Sequence, residues 1–250
     1  MIEIVNAIII ISLIVIIYKY FEKNSYDVVM VKSESNGKDY LVRNLPDKQE
    51  ASNLLGSLAL KLEKLVNIIK TEGYENIYTK YIKNDVDKEV SGGSSNGGSG
   101  GNSGNSGNDI IEGQSGGSSE KDILENDMKM KLKDDISRLI KNFNPDAFSE
   151  TTPDSKYTSY SVNKGEKLVM CLRDKKDGEK LVKENIMTFV SIHELAHLMT
   201  KSIGHDPIFW NNMRLLLKIA IDNGLYKNID FNKKPEPYCG IKISDTPLKL

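Results

Sequence analysis

All three histidines of this 250-residue chain fall between positions 193 and 205. His193-Glu194-Leu195-Ala196-His197 sits in an apolar stretch of helical character, and His205 follows. Residues i and i+4 of a helix share a face one turn apart. Two imidazoles at that spacing can reach one ion at roughly 2.0–2.1 Å, the usual zinc–nitrogen distance. Glu194 comes directly after the first of them and would project beside the open coordination position. There a carboxylate can take a proton from a water whose pKa zinc lowers to about 7. A catalytic zinc keeps three protein ligands and one open position, and His205 is the candidate third ligand. Gly204 allows a sharp reversal before it, and Asp206-Pro207 opens the next helix directly after it. The pattern therefore predicts His193, His197 and His205 as metal ligands, Glu194 as the catalytic group and Zn2+ as the cofactor.

The other chemistry-bearing residues are ambiguous as sequence. Glu236, the one Glu downstream of His205, is the competing third ligand, but it lies in a Pro-flanked stretch that reads as a loop. Tyr157 and Tyr160 are candidates to donate a hydrogen bond to a developing oxyanion, and hairpin packing explains them equally well. Cys239 reads as a fourth ligand or, more simply, as a small buried thiol. Phe209 and Trp210 read as core anchors. The run Lys167-Leu168-Val169-Met170-Cys171-Leu172 is a candidate edge for an extended peptide.

These residues need elements to hold them. A helix is expected from about Lys183 to about Ile203, through the histidine cluster. A second runs from Asp206 as N-cap, through Phe209, Met213, Leu216, Leu217, Ala220 and Ile221, to a stop at Gly224. Upstream, two strand pairs read as hairpins, 27–32 with 38–43 around Asn36-Gly37, and 157–162 with 167–172 around Asn163-Lys164-Gly165. Between them a helix opens at Pro46-Asp47, carries Leu54, Leu55, Leu58, Leu62, Leu65, Val66 and Ile69 at helical spacing, and is expected to end at Gly73. Helical periodicity resumes from Met128 to Lys141.

Residues 91–119 are almost entirely Gly, Ser and Asn, a composition that cannot bury enough apolar surface to offset its ordering entropy. The segment before it is marginal for an independent core, so the tract reads as a disordered insertion in one domain spanning 26–250. Residues 1–25 read as a transmembrane anchor. The run from Ile4 to Tyr18 is nearly all apolar, and a helix from Met1 to Phe21 would rise roughly 30 Å. Lys19 and Lys23 follow it, which places the bulk of a single-pass membrane protein on the cytoplasmic side. Cys171 and Cys239, far apart and outside any C-x-x-C pair, read as reduced thiols on that side. With 34 basic and 35 acidic residues, the chain carries no basic excess of the kind nucleic-acid binding relies on.

The stretch Ser191-Ile192-His193-Glu194-Leu195-Ala196-His197, with Gly204-His205-Asp206 and Phe209-Trp210, resembles the WLM and SprT-like zinc metallopeptidases. The longer text resembles the WLM-like metallopeptidases encoded by large double-stranded DNA viruses. It does so in Leu41 to Glu50, in Pro153 to Gly165 and in Tyr238-Cys239-Gly240. The resemblance covers nearly everything outside the Gly/Ser/Asn tract. It implies an α+β fold with a small sheet packed on a zinc-bearing helix, zinc held by His193, His197 and His205, and Glu194 as acid/base. It implies a protein or peptide substrate. Two rival readings stand beside it. One is a non-catalytic zinc-containing membrane or virion structural protein, against which Glu194 argues, since a structural site has no use for a base. The other is a DNA–protein crosslink protease, against which the balanced charge argues.

Overall fold

Rich in β-branched and aromatic residues, Val28–Lys32 (β1) and Asp39–Arg43 (β2) form an antiparallel pair, in register from Val28 opposite Arg43 to Lys32 opposite Asp39. One face of β2 presents Tyr40 and Val42, both buried, to the helix that follows. That helix is Lys48–Tyr81 (α1). The expected stop at Gly73 is a kink instead. Gly73 takes φ 73° and ψ 161°, which glycine adopts at little cost, and helical turns resume beyond it to bury Ile77, Tyr78 and Tyr81. In this computed structural model the described residues are 6, 9–17, 27–83, 120–174 and 179–248.

Past the tract, Glu120–Asn142 (α2) begins about two turns earlier than its periodicity suggested. Phe148–Glu150 (β3), Tyr160–Val162 (β4) and Lys167–Met170 (β5) follow, then Glu184–Met199 (α3), Pro207–Asp222 (α4), and a small hairpin of Glu236–Tyr238 (β6) and Ile241–Ile243 (β7). Both predicted hairpins are present, the second with shorter strands. They belong to one mixed sheet in the order β1-β2-β3-β5-β4, joined through β3. The sequence pattern did not mark β3, whose three residues pair in parallel with β2 on one side and β5 on the other. β5 is thereby flanked on both sides and offers no edge to a peptide; β4 is the edge strand on that side of the sheet.

The class is α+β as expected, but the sheet lies chiefly on α1 and meets α3 mainly through β4. Helices from both sides of the tract share one core. Leu55, Leu58 and Leu62 of α1 are buried in the same cluster as Leu132, Ile136 and Leu139 of α2 and as residues of α3 and α4. The tract itself, 91–119, lies outside the described residues.

Three sequence expectations need correction. First, among the described residues no helix is long and apolar enough to cross a membrane. Of the apolar run, residue 6 and residues 9–17 are described, and they are helical. Residues 1–5, 7–8 and 18–26 lie outside the described residues. The single-pass membrane reading and its cytoplasmic orientation are overturned on this finding. Second, Cys171 and Cys239 are not free thiols but a disulfide across 68 residues, with Cα atoms 6.1 Å apart. The fold sets the end of β5 against the β6–β7 turn, a proximity that sequence spacing does not reveal. Third, Glu236 is in a strand rather than a loop, buried and paired with Lys183 at 3.4 Å and Lys234 at 3.5 Å.

One buried ion network ties the sheet to α1. The Arg173 side chain donates to Glu150 at 2.7 Å and to Asp47, just before α1, at 2.6 Å. Glu150 also accepts the Arg43 backbone N–H at 2.8 Å. Arg173 hydrogen-bonds Asp47 and holds its carboxyl below the usual carboxylate range. Arg173→Met strands Glu150, 5% exposed, without its cation. The expected loss is about 3–5 kcal/mol in urea unfolding, and the double variant Arg173→Met/Glu150→Leu should recover most of it. A second expectation concerns the shared core. Residues 120–250 expressed alone lack β1, β2 and α1, so they should be poorly soluble and lack cooperative unfolding. A soluble, cooperatively folded fragment would overturn the shared-core description.

Candidate metal centre

The helix that carries His193 and His197 is apolar almost all round because α1, α2 and α4 all pack on it. His193 and His197 are two of the few α3 side chains that are not fully buried, and they share the face turned toward the loop that follows. The chain leaves the helix at Thr200, whose backbone is extended, and reverses at Gly204 with φ 94°. His205 comes next. Asp206 then caps α4 by accepting the Phe209 N–H at 2.9 Å, and Pro207 occupies the first turn, as the sequence predicted.

The loop returns His205 to α3. The candidate ligand atoms of His193, His197 and His205 all lie within 4.8 Å of one another, so the three could hold a metal ion. His193 Nε2 and His205 Nε2 are 3.0 Å apart. Two nitrogens bound tetrahedrally at 2.0–2.1 Å would lie about 3.3 Å apart, close to the spacing of this pair. The donor set fits as well. Burial, reinforced by the His197 and His205 imidazoles, pulls the His193 pKa down to about 3. Burial, reinforced by His205 and Lys164, pulls His197 down to about 4. Both rings are therefore neutral near pH 7, the form in which imidazole ligates metals.

Phe209 is the floor of this cluster. It is fully buried, and its ring centroid lies 4.4 Å from His197, 4.6 Å from His205 and 4.9 Å from His193. Trp210, read from sequence as a core anchor, is 39% exposed and covers His205 at 5.6 Å between ring centroids. The Phe-Trp pair thus divides its work, one ring beneath the imidazoles and one beside them at the surface.

Glu194 is buried, and desolvation pushes its carboxyl up to about 7 against the lowering effect of a hydrogen bond from the Ser161 backbone of β4. Tyr238 lies close enough for the Glu194 charge, added to burial, to push its phenol upward. Its hydroxyl pairs with Ser159 Oγ at 2.5 Å, and Ser159 Oγ also accepts the Cys171 N–H at 3.0 Å. Sequence reading missed Tyr238 as a neighbour of Glu194. The β6–β7 hairpin, tied to the end of β5 by the disulfide, brings it there.

The remaining candidates separate cleanly. Cys239 is bonded to Cys171 and has no thiolate to offer a metal. Glu236 is held by its two lysines and is not part of the histidine group. Tyr157 is 67% exposed and packs against Tyr160 at 5.5 Å, as hairpin packing would have it.

No protein-family model matches the chain. It is similar to an uncharacterized protein, R325, of Acanthamoeba polyphaga mimivirus, 29% identical over 248 residues that cover 98% of each chain. Over 69 residues, 27% of this chain and 38% of the relative, it is 35% identical to uncharacterized protein 136R of Invertebrate iridescent virus 6. Among solved structures it is similar to Wss1 from Saccharomyces cerevisiae. That likeness covers 42% of this chain and 85% of that one, at 22% identity and a TM-score of 0.29, too slight to carry function.

His205→Ala should sharply lower metal uptake by the purified chain, measured by elemental analysis after dialysis, whereas Glu236→Gln should leave uptake unchanged. The reverse pair of results would make Glu236 the third ligand.

Proposed function

We propose that the chain is a zinc-dependent metallopeptidase in which His193, His197 and His205 hold the ion and Glu194 is the general base. The observation that carries this reading is the convergence of three imidazoles, those of His193 and His197 held neutral by burial, beside the buried carboxyl of Glu194 on the same helix as those two. Three histidines leave a fourth position open, the arrangement of a catalytic rather than a structural zinc. Zinc bound there would act as a Lewis acid on a water and a peptide carbonyl.

The chain's own residues supply the rest. A carboxyl poised at about 7 is part ionised near neutral pH, so Glu194 can accept a proton and return it to a leaving amine. Its hydrogen bond to Ser161 fixes it against β4. Residues 26–250 are read as one metallopeptidase-like domain interrupted at 91–119, a reading supported by the core that α1 and α2 share. The substrate is a protein or peptide.

Glu194→Gln is the direct test, because it removes the base and nearly nothing else. The variant should keep its zinc and its unfolding midpoint while hydrolysis of a broad peptide library falls by about 10²- to 10⁴-fold. An undiminished rate sinks the mechanism. Loss of zinc as well would make Glu194 a structural group.

A further inference from the structure

We propose that Lys164, seconded by Arg138 and Asn142, is a positioning residue for the metal centre: it clamps the end of α3 and the loop that delivers His205. The proposal rests on the reading that the three histidines bind zinc.

The last carbonyls of a helix have no partner within it and are commonly satisfied by a glycine in left-handed conformation just past the end. Helix α3 ends differently. Thr200 is extended, and side chains from elsewhere in the fold take the carbonyls one by one. Asn142, at the end of α2, donates to Leu198 O at 3.4 Å. Arg138, one turn earlier in α2, donates to Met199 O at 2.6 Å and is itself held by Asp135 at 2.6 Å. Lys164 does most. Its Nζ lies 2.6 Å from Thr200 O, 3.0 Å from Ser202 O, 3.2 Å from Lys201 O and 3.4 Å from His197 O. Three ammonium protons are thus shared among four carbonyls, at the end of a helix whose dipole favours a cation.

The lysine is itself fixed in place. It occupies the β4–β5 turn with φ 55°, next to Asn163 at φ 46°, in the left-handed region that residues with side chains seldom take. Gly165 completes the turn at φ 117°, buried so closely on α2 that a Cβ there would run into the Asn142 carbonyl. The hairpin tip is therefore wedged between the ends of α2 and α3. From there one ammonium spans both the last turn bearing His197 and the segment leading to His205.

His205 needs such a clamp. It is exposed, and the geometry that joins it to His193 and His197 depends on the path of residues 200–204. Without Lys164, the carbonyls of 200 to 202 lose their shared donor and that path loosens. The cost falls on the third ligand rather than on the two that α3 itself holds rigid.

The experiment is a double-variant cycle on the full chain, reading zinc affinity by competition with a chromophoric chelator and the cobalt(II) absorption spectrum of the loaded site. Lys164→Met should weaken zinc about 10- to 100-fold, the usual effect of losing a group that orients a ligand. In a His205→Ala background the same change should add little, because its effect passes through His205. Lys164→Arg, which keeps cationic donors, should restore much of the affinity. Lys164→Gln serves if the methionine variant does not fold, with an intermediate loss expected. Equal losses in both backgrounds, or wild-type affinity in Lys164→Met or Lys164→Gln, overturn the clamp while leaving the metal reading intact. Failure of the unaltered chain to bind zinc overturns both.

Discussion

Helix α3 must be apolar on nearly every side and still offer two imidazoles and a carboxyl to chemistry. It packs against α1, α2 and α4, so almost every side chain between Ile186 and Met199 is buried. A helix so enclosed has no freedom to roll or slide, and that immobility is what a metal site needs. The same enclosure sets the protonation states. Desolvation disfavours charge, so it drives the imidazole pKa values down and the carboxyl pKa up. One physical cause therefore gives two neutral imidazoles and a carboxyl poised near neutrality on a single helix.

The rest of the fold can be understood as keeping that helix enclosed and its open face in order. Helix α4, capped by Asp206, brings Phe209 beneath all three imidazole rings. The sheet, held to the start of α1 by the Arg173–Glu150–Asp47 network, places β4 along α3, where the Ser161 backbone meets Glu194. The Cys171–Cys239 bond and the Ser159–Tyr238 pair carry the terminal hairpin to the same side. With the Lys164 turn at the far end, β4 and the tip of its hairpin are both engaged with the end of the helix that bears the histidines.

Much of the centre was legible as sequence because its determinants are local. The i, i+4 spacing of His193 and His197 needs only a helix to place both on one face. Gly204 and Asp206-Pro207 encode a reversal and a helix start through backbone preferences that act within a few residues. Helix periodicity and the two hairpins followed from the same local rules, and the structure keeps each element, though α3 ends at Met199 rather than near Ile203 and the second hairpin has shorter strands. Gly73 shows where those rules stop short. A glycine that can end a helix can equally kink it, and the apolar residues Ile77, Tyr78 and Tyr81 beyond it decided for the kink by reaching the core.

What only the tertiary structure decided involves partners far apart in the chain. Cys171 and Cys239, separated by 68 residues, pair because β5 and the last hairpin are neighbours. Strand β3 is too short to carry a periodic signal, yet it merges two hairpins into one sheet and takes away the edge that β5 was expected to offer. Glu236 left the list of ligands because Lys183 and Lys234 hold it elsewhere. The membrane span that the composition of the N-terminal run suggested is not found among the described residues. The sequence by itself determined which residues could bind a metal and how α3 would present them. Which other groups reach that site was settled by packing, because the proximity of distant residues is a property of the folded core and leaves no mark in local spacing.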